Sequence, residues 1–303
     1  PILPGDPLVD VSDTLLVFLT EDQRENHYLF FQDVWLLDND WELTAGIRYD
    51  NYSDFGSTIN PRIALVWSTS YKLTTKFLYG EAFRAPSFAQ TRAINNPLIL
   101  GNLNLKPEEI ESYELAFDYR PNYQLTLNTN FFYYNWTDII QFVPDSSGST
   151  RTAQNAGEQT GYGMEFEVNW SATENLSVTS NFSIQNSTDE TMDVPAAKSP
   201  EKQFYLRADW ILPRDWRVNM QANWVMDRNR VFGDLRPQID DYIVVDLSVR
   251  KRLRKSFELG LTVNNAFDED AREPSANAVP MPFIPNDLPL SGRTILGEIR
   301  YSF

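Results

Sequence analysis

Along most of this sequence apolar and polar side chains take turns at every second residue, and the connections between the alternating stretches are short and long in turn. The alternation is sharpest at 216–227, where Trp216, Val218, Met220, Ala222, Trp224 and Met226 interleave with Arg217, Asn219, Gln221, Asn223, Val225 and Asp227. A helix would mix these two sets, whereas a strand sends them to opposite faces. Residues 294–303 repeat the pattern, with Ile295, Gly297, Ile299, Tyr301 and Phe303 opposed to Thr294, Leu296, Glu298, Arg300 and Ser302. Counted this way, the chain has about thirteen strands, at 27–37, 41–49, 62–70, 72–83, 112–119, 124–134, 161–170, 176–185, 203–212, 216–227, 242–250, 257–264 and 294–303.

Tight connections fall at 38–40, 120–123, 171–175, 213–215 and 251–256, and long ones at 84–111, 135–160, 186–202, 228–241 and 265–293. Antiparallel neighbours put successive connections at opposite ends, so the short ones gather on one rim and the long ones on the other. A soluble sandwich or propeller explains alternation but gives no reason for sorting the connections. An outer-membrane barrel does, with short periplasmic turns and long external loops, and a tilted strand of about ten residues also crosses a bilayer. The predicted fold class is all-β: an antiparallel transmembrane β-barrel of which these strands are a part. Trp41, Trp136, Trp170, Trp210, Trp216, Tyr119, Tyr133 and Tyr301 lie near strand ends, where bilayer interfaces hold aromatic rings and soluble sheets pack their edges.

Residues 1–26 read as a loop with an incomplete strand at 15–19, and 27–303 as the barrel. An odd strand count leaves the termini on opposite rims, which does not close a bacterial single-chain barrel. The expectation is a C-terminal portion of something larger, unless 15–19 supplies a fourteenth strand. No run of 18 apolar residues offers a membrane helix, and the mean hydropathy of -0.41 is compatible with a barrel because each strand is only half apolar. Residues 1–10 carry neither a basic n-region nor an apolar h-region. The net charge of -16 argues against a nucleic-acid partner, and the absence of cysteine removes disulfides and thiolate metal sites.

Catalytic chemistry finds little support. His27 is the single histidine and would have to serve any hydrolytic triad. Glu165 and Glu167 share one strand face, which suits a solvated wall better than a glycosidic pair drawn from separate elements. Asp268, Glu269, Asp270 and Glu273 do not match a calcium-loop spacing. No enzyme activity, metal or cofactor is expected.

Four ordered stretches carry a family resemblance: YGEAFRAPSF at 79–88, GNLNLKPEEIESYELAF at 101–117, NAGEQTGYGMEFEV at 155–168 and VNNAFDEDAREP at 263–274, before the aromatic-ending last strand. Together they resemble the C-terminal part of the barrel of TonB-dependent outer-membrane receptors, with Phe83, Arg84, Ala85 and Pro86 in the FRAP box and Asn102 and Asn104 in the NPNL box. Leu103 departs from the proline usual there.

The resemblance implies a 22-stranded barrel in a Gram-negative outer membrane, an N-terminal plug and a TonB-engaging box, with plug and box absent from this stretch. It further implies energised uptake of a scarce nutrient, foremost a ferric siderophore, with a non-energised porin or adhesive barrel as the alternative. Implied partners are outer-membrane lipid, a ferric chelate or other small nutrient, TonB through the plug alone, and the barrel-assembly machinery, which would read Phe303. Residues 87–100 lack the histidine that haem receptors of the family carry between the boxes. Candidate ligand residues on the long connections and nearby strand ends are Arg84, Arg92, Arg151, Tyr162, Arg228 and Arg230, with Phe83 and Phe232 close in sequence.

Overall fold

In the computed structural model, which describes residues 10, 14, 16–146, 148–197, 199–254, 256–275, 284 and 286–301, the alternating segments become strands that pair in sequence order. The elements are β1 (Asn26–Asp38), β2 (Trp41–Tyr52), β3 (Gly56–Ser70), β4 (Leu73–Arg84), α1 (Phe88–Arg92), β5 (Ile99–Leu100), β6 (Glu108–Asn122), β7 (Leu125–Pro144) and β8 (Arg151–Thr173). They continue as β9 (Leu176–Asp189), β10 (Val194–Pro195), β11 (Pro200–Leu212), β12 (Trp216–Arg228), β13 (Tyr242–Arg254), β14 (Phe257–Asn264), β15 (Arg272–Glu273), β16 (Leu288–Pro289) and β17 (Thr294–Tyr301).

One sheet runs β1-β2-β3-β4-β6-β7-β8-β9-β11-β12-β13-β14-β17, each strand antiparallel to its neighbours, so β1 and β17 form its two edges. β10 adds to β9, β5 joins β8 in parallel, and β15 pairs with β16 apart from the sheet. Connections on one rim, such as 39–40, 71–72, 123–124 and 174–175, are two residues long. Those on the other include 85–107, 190–199, 229–241 and 265–293, with the tight 53–55 turn as the exception.

Two expectations change. The long loop expected at 135–160 is mostly strand: β7 and β8 stay paired out to Pro144 and Arg151, past register shifts between Trp136 and Ile140. Asp138, with a φ of 54°, sits at that bulge and interrupts the alternation that a period-two reading follows. At 15–19 there is no fourteenth strand among the described residues; Leu19 makes an isolated bridge to Ala93, and Leu15 lies outside the described residues.

Register assigns the faces. Leu65, Phe77, Leu115 and Phe131 meet across β3, β4, β6 and β7, and Ala208, Met220 and Leu247 across β11, β12 and β13. This outward face is apolar. The opposite face carries Glu114, Asn130, Glu165 and Ser183 on β6 to β9, then Arg207, Gln221 and Asp246 on β11 to β13. Its core is a hydrogen-bonded polar wall: Asn130 donates to Glu114 (3.0 Å), Asn128 to Glu167 (3.2 Å), Gln203 to Asn223 (3.0 Å) and Tyr205 to Gln221 (3.0 Å).

Outward aromatics collect in two belts. Trp41 and Trp67 stack at 4.9 Å on the short-turn side, level with Trp170, Trp210 and Trp216. Tyr79, Tyr113 and Tyr133 line up on the long-loop side at 5.0 and 6.3 Å. Trp216 and Trp224 stand eight residues apart, as do Trp170 and Tyr162. At ~3.3 Å per residue and a tilt of ~40°, that spacing is ~20 Å of height, close to the ~25 Å apolar band of an outer-membrane barrel.

On the inward face Gly161 and Gly163 lie under the rings of Tyr134 and Phe132. A Cβ on Gly163 would meet the Ile184 carbonyl oxygen at 2.4 Å, which no rotamer relieves, while the atoms nearest one on Gly161 belong to the movable Tyr134 side chain. Gly163→Ala is expected to destabilise the sheet by about 1–3 kcal/mol, and more than Gly161→Ala, in urea unfolding followed by tryptophan fluorescence.

Candidate functional site

The long-loop rim is built from clasps that tie each connection to its neighbour. After β4, Ser87 caps α1 in a reciprocal pair with Gln90. Gly101 then passes so close beneath the helix end that a Cβ would lie 2.6 Å from the Ala93 nitrogen. Asn102 donates to the Ala153 carbonyl (3.0 Å) and accepts the Asn104 amide (2.9 Å). Asn155 accepts the Lys106 amide (2.9 Å) and donates to the carbonyls of Lys106 (3.0 Å) and Asp138 (2.7 Å). Leu105 is buried against Ile140 and Ala153, with Phe142 alongside. The motif asparagines therefore hold the 85–107 loop onto the β7–β8 hairpin. Leu103, where the pattern departs, is 60% exposed, so losing the proline perturbs no packing.

Asn155→Ala removes three hydrogen bonds at once. It is expected to weaken this docking by about 1–3 kcal/mol, seen as faster exchange of the Lys106 amide, with Asn155→Asp intermediate because it keeps the acceptor.

Most arginines of the rim turn inward to partners. Arg84 grips Glu108, whose carboxylate is 1% exposed and also accepts the Ile140 amide at 2.8 Å. Arg92 pairs with Asp22 of the segment preceding β1. Arg228 is fully buried: it donates to the Arg272 and Asp240 carbonyls, lies over the Tyr242 ring at 4.6 Å and approaches Glu273 at 3.6 Å. Arg230 forks onto Asp287 at 2.8 and 2.7 Å, and Arg236 reaches the same carboxylate at 2.8 Å and Asp234 at 2.6 Å. These contacts fuse the 229–241 and 265–293 connections into one body.

Of the sequence candidates, Arg228 is thus an anchor rather than a surface group. Tyr162 is corrected too: it pairs with Tyr133 on the outward face, 59% exposed, and points away from the bore. Arg151, at the start of β8, makes no ion pair among the described residues. Phe83 meets Tyr52 edge-on at 5.8 Å, and Pro86 is buried with its carbonyl accepting from Arg24 (2.7 Å). Ala85 links that pair, and Phe303 lies outside the described residues.

Arg24 was not singled out in the sequence. It binds Asp54 and packs against the rings of Tyr52, Phe55 and Phe88 at 5.9, 5.3 and 5.0 Å, closing the 53–55 turn over the FRAP box. Asp287 carries no local sequence signal either, because its arginine partners lie 51 and 57 residues away.

Below the rim a recess of about 690 Å³ opens in the polar wall, lined by Glu165, Glu167, Tyr205, Gln221 and Asp246 among others, with Leu290 reaching in from the last connection. Glu167 accepts from Asn128 and Asn169, as a solvated wall residue does. His27 sits exposed on edge strand β1. Asp268 faces Arg293 (3.6 Å), Asp270 faces Arg272 (3.0 Å), and no group of three potential metal ligands occurs among the described residues. The rim can hold external loops rigid above a wet bore; among the described residues it carries no assembled nucleophile and base.

The family model for TonB dependent receptor-like, beta-barrel matches residues 4–266. The iron-regulated outer membrane virulence protein of Vibrio cholerae is 25% identical over 265 residues, which cover 80% of this chain and 40% of that protein. Vitamin B12 transporter BtuB of the same species is 26% identical over 246 residues, 79% of this chain and 38% of the transporter. The chain thus spans about 40% of the length of these curated relatives. Among solved structures, the ferric enterobactin receptor PfeA of Pseudomonas aeruginosa superposes with a TM-score of 0.76 at 20% identity, over 92% of this chain and 45% of that one. The siderophore receptor PirA of Acinetobacter baumannii gives 0.75 at 16%, over 92% and 46%.

Proposed function

This chain belongs to the TonB-dependent receptor β-barrel family of the Gram-negative outer membrane, and from that premise we propose that it is the C-terminal barrel portion of a receptor for energised uptake of a scarce nutrient, foremost a ferric siderophore. Residues 27–303 supply this part of the wall, residues 16–24 brace its rim, and the rest of the barrel and an occluding plug come from outside this sequence. TonB engages the plug, and outer-membrane lipid covers the outward face. The assembly machinery reads β17 (Thr294–Tyr301) together with Phe303.

One observation carries the reading: the external connections are clasped into a fixed rim above a polar bore, the 85–107 loop by the motif residues Asn102 and Asn155 and the last two connections by Asp287. A general pore needs no such rim, whereas a receptor needs ligand groups held in register before a ligand arrives. The relatives divide between an iron-regulated protein and a vitamin B12 transporter, and iron is preferred here because both superposed structures named above are siderophore or ferric enterobactin receptors.

The test is growth of a receptor-deleted strain on iron chelates in iron-limited medium, with the complete protein restored. Rescue that requires TonB and saturates at low chelate concentration is the expected result. Uptake that persists without TonB and rises linearly with concentration would instead identify a porin.

A further inference from the structure

Resting on the uptake-receptor reading, we propose that the ligand carries no net negative charge: the rim selects an uncharged or cationic ferric chelate and disfavours polyanionic ones.

Recognition of an anion needs cations that are free to meet it, since a charged ligand leaves water only where its charge is paired. Most of the long-rim cations described here are already engaged. Arg84, Arg92, Arg228, Arg230 and Arg236 all face carboxylates of this chain. Recruiting Arg230 to a ligand would strip Asp287, itself only 7% exposed, of its bidentate partner, so the gain on one side is lost on the other.

Among the described residues, what remains unpaired is mainly of the opposite sign. Lys106 and Arg151 make no ion pair among the described residues, and neither do Asp193, Glu201, Asp240, Asp241 and Glu269. Over the connections 85–107, 145–150, 190–199, 229–241 and 265–293 the sequence holds seven Lys or Arg against eleven Asp or Glu. An approaching trianion therefore meets net repulsion over separations within the Debye length, ~8 Å at physiological salt.

The rim offers apolar contact instead. Phe232, Leu235 and Phe267 are exposed on the last two connections, 66%, 87% and 74% accessible, and Asp287 ties these two connections together through Arg230 and Arg236. An uncharged chelate with an apolar body gains from these side chains without needing a counter-ion.

The test uses the complete receptor and three probes: an uncharged ferric trihydroxamate, the same chelate with one pendant ammonium, and a triply anionic ferric tricatecholate. Binding is measured by tryptophan quenching across a salt series, and uptake in the receptor-deleted strain with and without TonB. The uncharged and cationic chelates are expected to bind at least about tenfold tighter than the trianion at low salt, and the gap should narrow as salt screens the repulsion. Asp240→Lys with Glu269→Lys should raise affinity for the trianion about tenfold and leave the uncharged chelate unchanged; both side chains lie outside the clasps. Equal or tighter binding of the trianion at low salt overturns the charge proposal while leaving the receptor reading in place. Absence of TonB-dependent uptake of all three overturns the receptor reading and the charge proposal together.

Discussion

Met220→Arg is expected to lower the stability of the barrel in lipid vesicles by about 2–4 kcal/mol, whereas Gln221→Arg, one residue further on, should cost about 1 kcal/mol or less. Both lie on β12 with paired strands on either side, so β-propensity and edge effects nearly cancel between them. They differ in face. Met220 stands between Ala208 and Leu247 on the outward surface, midway between the belt residues Trp216 and Trp224, where a guanidinium would enter hydrocarbon. Gln221 stands between Arg207 and Asp246 on the wet wall, where a new cation keeps its hydration and gains a carboxylate neighbour. Trp224 is the less sensitive position for such a charge despite its size, because it belongs to the belt near the long-loop rim, where arginine reaches the headgroups. Urea unfolding in vesicles measures both costs, and equal values would reverse the assignment of faces.

Asp287→Ala should release the last two external connections from each other by about 3 kcal/mol. The carboxylate accepts from Arg230 twice, from Arg236, and from the Ser275 amide (3.1 Å) and hydroxyl (3.4 Å). Its loss leaves two nearly buried guanidinium groups sharing Asp234, 3.9 Å from Arg230. Amides in 229–241 should then exchange about a hundredfold faster while β12 and β13 keep their protection. Unchanged exchange would show that the clasp is incidental.

The same cluster fixes the acid dependence. Arg230 holds the Asp287 carboxyl below its ordinary value, and Arg236 holds Asp234 down at about 2. Both folded values lie below the unfolded ones, near 4, so the stabilisation is fully present above about pH 4 and fades as the pH falls through about 2. Exchange in 229–241 should therefore be indifferent to pH-dependent opening between pH 7 and pH 5, after correction for intrinsic rates; loosening in that window would point to a different latch.

Strands and faces were legible because the side-chain period of a strand is two, and one buried or lipid-covered face makes that period visible. The parity that places Met164 and Phe166 outward also places Tyr162 outward, so its exclusion from the bore could have been read from the sequence. The outer half of the β7–β8 hairpin could not, because the bulge near Asp138 shifts the phase and a run of alternation ends there. Nor could the arginine partners. Arg84 and Glu108 are 24 residues apart, and Arg230 and Asp287 are 57, distances set by how loops fold back rather than by any local pattern. An arginine on a long connection reads as a ligand group until its carboxylate is found.

These 303 residues contain no cysteine, so single nitroxide labels can be placed at each position from 216 to 227 of the complete protein in lipid once any cysteine outside this stretch has been replaced by serine. Accessibility to dissolved oxygen should peak at 218, 220, 222 and 224, and accessibility to a water-soluble nickel complex at 217, 219, 221 and 223, the two series running out of phase with a period of two residues. If the two series run in phase, or if both reagents are excluded from one face, the strands do not form a single-layer wall between lipid and a wet bore.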